Sequence, residues 1–186
     1  MLSGSNALAF YVMVLGNVLG AQTKFIERLQ KRLHLREVYS VEECDVVIAF
    51  VPVVSRAGTD IQSALQKLET LFLPASQPVV LVVFHHTFDV NYVAPDSKLS
   101  VKKDGVFAVD ILFHEDDGLL NGLHNDKMLK STTDYLISKG ASPDIQTDPA
   151  KTSRRAQLRL IVVPVLVGCV VAGVVSAITW IFIVCF

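Results

Sequence analysis

The chain has 186 residues, 51% of them hydrophobic, and a formal net charge of −1. Residues 1–150 hold 13 Lys+Arg against 18 Asp+Glu, and this acidic balance, with no basic, aromatic-interleaved stretch, excludes nucleic acid as the partner. Cys44 is the only cysteine before residue 151, which excludes an intradomain disulfide framework and leaves Cys44 as a buried, inert thiol.

In chain order, Leu8 to Leu15 is an apolar run without alternation, the pattern of a strand covered on both faces, and it ends in Gly16-Asn17. After Gly20, Phe25, Leu29 and Leu33 recur every four residues with Ile26 beside them, which predicts an amphipathic helix. Arg36 to Tyr39 suits a short strand, Ser40 to Cys44 a single turn, and Val46 to Val51 a central strand. Ile61, Leu65, Leu68 and Phe72 mark the next helix, which Pro74 and Pro78 close before the strand Val79 to Phe84.

The stretch from His85 to Gly105 is polar and has no strong helical period, so both a parallel crossover and an antiparallel edge strand are open for this connection. The last strand is Val106 to Phe113. A final helix is expected from about Asp126 to Ser138, with Asn125 as N-cap, Met128, Leu129, Thr132 and Leu136 inward, and Gly140 just past its end. Strands alternating with helices give the α/β class: a small doubly wound, flavodoxin-like, mostly parallel sheet of four to five strands over residues 1–140.

Residues 141–159 read as a polar, basic linker, and residues 160–186 form 27 positions without a charge. About 20 such residues cross a bilayer as a helix, so a single transmembrane helix is expected. Lys151, Arg154, Arg155 and Arg159 precede it, which favours a cytosolic N-terminal domain on a tail-anchored, single-pass protein. A long span with no basic residue after it leans toward the endoplasmic reticulum or secretory membranes. The rival reading, a signal peptide with a removed C-terminal anchor signal, fits poorly because no Lys or Arg precedes Lys24 and no Asn-x-Ser/Thr site exists. Gly168, Ala172 and Ser176, one helical turn apart, make weak homo-oligomerisation through this segment an option.

Ligands of open parallel sheets bind beyond the carboxyl ends of the strands. The residues expected there are Gly16 and Asn17 after the first strand, Ser55, Arg56, Gly58, Thr59 and Asp60 with Gln62 after the central one, and His85 after the next. Two readings of the middle group stand side by side. The helix N-terminus can hold an anion, a nucleotide or another small anionic molecule, with Arg56 adding charge and Gly58 allowing close approach. Alternatively Thr59-Asp60-Ile61-Gln62 is a capping box, Thr59 accepting from the Gln62 N–H while the Gln62 side chain reaches back. No cofactor is implied. His85, His86, His114 and the acidic residues 115–117 match no established zinc spacing, and adjacent histidines on a strand face opposite ways, so no metal is expected.

The stretch CDVVIAFVPVVSRAGTDIQSAL, residues 44–65, resembles the strand–loop–helix of the nucleoside 2-deoxyribosyltransferase-like group, whose relatives include TIR-type NAD-cleaving domains. The resemblance implies a helix carrying a catalytic glutamate, and Gln62 stands at that position. An amide is neither a nucleophile nor a stabiliser of an oxocarbenium-like centre, so the second reading is a nucleoside- or NAD-type glycosidic-bond enzyme, inactive where Gln62 replaces that glutamate, or a nucleotide sensor. Over nearly the whole domain, including YVMVLGN, FIERLQKRL, VVSRAGTDI, VVFHHTF, YVAPDS and VFAVDILFHED, the chain is similar to a family of fish proteins with a small α/β domain, a resemblance that implies the fold and points to no particular activity. The leading expectation is a non-enzymatic cytosolic domain, held at the lipid bilayer, that binds a protein partner.

Overall fold

The computed structural model describes residues 7–72 and 77–144, all within a compact unit that ends at Asp144. The expected membrane segment, its linker from residue 145 onward and Pro74 lie outside the described residues. Among those described, no helix is long and apolar enough to cross a membrane.

Three helices and a mixed seven-stranded sheet make up the domain. The sheet runs in the order β6-β5-β4-β3-β1-β2-β7, where β1 is Leu8–Val14, β2 Leu33–Val38, β3 Val46–Pro52, β4 Val79–His86, β5 Val106–His114, β6 Gly118–Leu119 and β7 Ser142–Pro143. The five longer strands are parallel, and the strand order reverses between β1 and β3. The two-residue strands β6 and β7 are antiparallel additions at the edges, so the expected four to five strands become seven. Two residues show no period, which is why neither edge strand stands out in the sequence. β7 also draws the first residues of the expected linker into the sheet, and the Asp144 N–H adds a bond to the Arg32 carbonyl.

The apolar runs lack alternation because both faces of the central strands are covered. Every residue of β3 is buried, and β4 is exposed only at His86. One face packs under α1 (Ala21–Gln30) and α3 (Leu123–Ser138), where the rings of Phe25, Phe50, Phe84 and Phe113 form a ladder with centroid spacings of 5.8, 5.7 and 5.2 Å. Such offset and edge contacts add to the area they remove from water. On the other face, α2 (Ala57–Phe72) sets Ile61, Ala64, Leu65 and Leu68 on Ala49, Val51, Leu81 and Val83. A single 3-10 turn, Val41–Glu43, borders a smaller cluster of Ala9, Val38, Val47 and Cys44. Burial, with the neighbouring Asp45 charge adding to it, pushes the Cys44 thiol above its ordinary pKa, as an inert core cysteine requires.

Two expectations about helices are corrected. Leu33 continues the apolar spacing of α1 but is the first residue of β2, because the chain turns at Lys31 and Arg32. α3 begins three residues before the expected start at Asp126, with Gly122 as N-cap and the highly exposed Leu123 in its first turn. Its end is as expected: Gly140 takes φ +108°, its N–H bonds to the Ile137 carbonyl, and the Ala141 N–H reaches back to Leu136.

The connection from β4 to β5 is a parallel crossover without an α-helix, which decides between the two options left open by its sequence. Residues 87–105 carry only a 3-10 turn at Ser97–Leu99, and this turn packs against α2 and β5.

Candidate functional site

At the reversal between β1 and β3, the end of β3 packs closely against the turn that follows β1. A Cβ on Gly16 would stand 2.7 Å from Cγ and 2.9 Å from Cδ of Pro52, so Gly16 is small in order to let the Pro52 ring close against it. Asn17 works locally: its Oδ1 accepts from the Leu19 N–H at 3.1 Å, supporting the left-handed turn of Leu19 (φ 50°) and Gly20 (φ 78°) before α1.

The segment before α2 does not form the expected capping box. α2 starts at Ala57, its first helical bond runs from the Asp60 N–H to the Arg56 carbonyl, and Thr59 is already inside the helix. The side chain that reaches back is Asp60. Its Oδ2 accepts from the N–H groups of Val54 and Ser55, each at 2.9 Å, and its Oδ1 accepts from the Ser55 hydroxyl at 3.1 Å. The Ser55 N–H bond is the main reason its carboxyl is held below the ordinary aspartate range, outweighing what little desolvation opposes it. A carboxylate of the protein thus lies against the loop that an incoming anion would have to approach, while Arg56 is exposed beside it.

Gln62 turns away from the cap altogether, and its Nε2 donates to the Ser100 carbonyl at 2.9 Å. This bond spans a cleft of about 730 Å³ between α2 and the crossover, lined by Gly58, Gln62, Leu65 and Glu69 on one side and Leu99, Ser100 and Lys103 on the other. A Glu69–Lys103 ion pair of 2.9 Å bridges it further along. A Cβ on Gly58 would meet nothing within 4 Å, so packing within the domain does not require this glycine.

His85 is brought to a different group. Its ring is 4% exposed, and Nε2 lies 2.7 Å from Oδ1 of Asp110, which faces it from β5. Ser97, in the 3-10 turn of the crossover, donates its hydroxyl to the same oxygen at 2.5 Å and its N–H to Oδ2 at 3.0 Å. Burial alone would raise the Asp110 carboxyl, but the bonds from His85 and Ser97 and the attraction of His85 outweigh it and hold the group below its ordinary value. The three residue types match those of a hydrolase triad in a different order. Here the carboxylate is central and the serine donates to it, so no imidazole stands ready to take the serine proton. What the arrangement does is fasten the crossover to the sheet, with His124 adding a bond from Nε2 to the Asp110 carbonyl at 2.8 Å.

The expected set therefore divides. Gly16 and Asn17 shape the turn after β1, Ser55 and Asp60 brace the start of α2 beside Arg56 and Thr59, Gly58 and Gln62 line the α2 cleft, and His85 belongs to the buried Asp110 network. His86, one residue on, faces the opposite side of the sheet from His85, as alternation requires.

Two residues organise this end of the sheet in ways that the sequence pattern does not single out. Asp110 is visible there as a lone carboxylate inside the run Val106 to Phe113, a buried charge that has to find partners. Asn125, expected as a helix cap, is buried instead: its Oδ1 accepts from the Leu112 N–H at 2.8 Å, and its Nδ2 donates to the carbonyls of Leu112 and Leu120 at 2.7 and 2.8 Å. It takes the place of a strand residue beside β5. No protein-family model matches the chain, and no curated protein matches it.

Proposed function

We propose that this chain presents a non-enzymatic α/β interaction domain, of flavodoxin-like doubly wound topology, at the surface of a membrane, and that the domain binds a protein partner through its β4–β5 crossover. The observation that carries this reading is an apolar patch in solvent. Val93 and Leu123 are 87% and 86% exposed, and with Val90 and Tyr92 they line a cleft of about 330 Å³ between the crossover and the start of α3, while Phe88, two residues before Val90 in the crossover, is 85% exposed. Scattered exposed apolar residues mean little, but several around one cleft are the usual mark of an interaction surface. The buried Ser97–Asp110–His85 network supports the reading, since it anchors the loop that carries most of the patch.

Membrane attachment rests on the 27 uncharged residues from Leu160 to Phe186, and the basic residues 151–159 ahead of them favour a domain facing the cytosol, on secretory-pathway membranes. The second reading, a nucleotide sensor or a glycosidic-bond enzyme related to the deoxyribosyltransferase-like group, is favoured by the α2 cleft with Gly58 and Gln62 in its wall. Gln62 in place of a glutamate speaks against turnover there.

The discriminating experiment uses the full chain in lipid nanodiscs. A photo-crosslinker at Val93 is expected to yield a discrete protein adduct that is lost when Phe88→Asp and Leu123→Asp are combined, while NAD, nucleosides and nucleotides leave the melting temperature unchanged. A saturable rise in melting temperature with one of those ligands, abolished by Gln62→Ala and without any adduct at Val93, would overturn the proposal in favour of the sensor or enzyme.

A further inference from the structure

We infer that the carboxyl ends of β4 and β5 form a binding site for a single divalent transition-metal ion, with zinc the best match, held by His86, His114 and Glu115. One potential ligand atom from each of the three lies within 4.8 Å of the other two. The His86 Nε2 and Glu115 Oε2 are 3.4 Å apart, and the two imidazoles lie face to face with centroids 5.1 Å apart and planes 27° from parallel. Two ligands at zinc's usual bond length of about 2.1 Å, on a tetrahedral ion, stand about 3.4 Å from each other. The His86–Glu115 pair therefore already has the spacing of one tetrahedral edge, and the His114 ring, stacked on His86, has to rotate to aim a nitrogen at the same ion.

The backbone explains why these three meet. His86 pairs in register with Phe113, so His114 follows at the adjoining strand end and Glu115 enters the turn into β6. His86 packs edge-on against the Phe113 ring, which orients it. The Asp116 N–H donates to Nδ1 of His114 at 3.4 Å and carboxylate oxygens of Asp116 and Asp117 lie 3.9–4.0 Å from the same atom, so this side of the ring is held by the β5–β6 turn and Nε2 is the His114 nitrogen for the ion. Two imidazoles and a carboxylate suit zinc and its neighbours in the first transition row, whereas calcium and magnesium take oxygen ligands. The spacing escapes any local motif because the ligands come from two strands whose sequence separation is set by the crossover. Bound there, the ion would clamp the β5–β6 turn to the end of β4 and leave a coordination position for water or for a side chain of another molecule.

The test uses the full, tag-free chain in detergent, titrated with Zn2+ by calorimetry and with Co2+ by visible absorption. One Zn2+ per chain is expected, with Co2+ bands of a four- or five-coordinate nitrogen and oxygen site and a rise in melting temperature that Mg2+ does not reproduce. His86→Ala and Glu115→Ala, both at exposed positions where folding is not at risk, should each weaken Zn2+ by at least about tenfold and remove the thermal shift. His34→Ala, at the opposite edge of the sheet beside Asp144, should change neither. Absence of Zn2+ binding, or binding that survives both substitutions unchanged, would overturn the inference.

Discussion

Nε2 of His85 lies 2.7 Å from Oδ1 of Asp110, with both side chains more than nine-tenths buried, at the place where the chain crosses between parallel strands without a helix. The helix of an ordinary crossover covers the sheet with apolar side chains. Here a polar network does part of that work, and it depends on one carboxylate accepting three hydrogen bonds. Asp110→Ala should destabilise the domain by about 3 kcal/mol, because His85 and Ser97 are left buried without their acceptor. Folding lowers the Asp110 carboxyl below the ordinary aspartate value of about 3.9. Its contribution is therefore full above that pH and is lost as pH falls through the lower folded value. Urea denaturation from pH 7 to pH 3 should show an acid-side loss of stability that is smaller in Asp110→Asn.

Asp60 and Thr59 offer a direct contrast at the start of α2. Asp60→Ala removes the acceptor of two loop N–H groups and of the Ser55 hydroxyl, and it should cost about 1 kcal/mol, the usual magnitude for a lost helix cap. Thr59→Ala, inside the first turn, should stay within about 0.5 kcal/mol of the parent. Chemical denaturation of the two variants checks this, and the reverse ranking would restore Thr59 as the capping residue.

Asn125→Leu should destabilise by about 3 kcal/mol, since the Leu112 N–H and the Leu112 and Leu120 carbonyls lose partners in a site that water does not reach. Asn125→Asp keeps the acceptor but removes both donated bonds and buries a charge. It should be at least as damaging at pH 7, as thermal melts would show.

Gly16 and Gly58 should respond in opposite directions to alanine. At Gly16 the new methyl would overlap the Pro52 ring, costing about 2 kcal/mol by overpacking. At Gly58, within α2 and facing open space, alanine should stabilise by about 0.5 kcal/mol through its better helix propensity. Melting temperatures of the two variants, falling for the first and rising for the second, check the pair.

The continuous apolar runs and the helical spacing of the chain by themselves determined the α/β class, the four buried strands at Leu8, Val46, Val79 and Val106, and the amphipathic helix that carries Ile61, Leu65 and Leu68, because these depend on which side chains avoid water along a local stretch. The apolar span of residues 160–186 is likewise a property of composition alone. Tertiary structure decided the partners of the polar residues. Whether Gln62 reaches back to a cap or across to Ser100, whether Asn125 caps a helix or pairs with Leu112, and whether His85 faces a ligand or Asp110 all depend on segments brought together over 13 to 38 residues of chain. A hydrogen bond needs a particular atom at a particular distance, and no local repeat encodes that. Burial is collective and tolerant of a shift by one residue in an element's end, which is why the layers of this domain are legible in its sequence and its polar contacts are not.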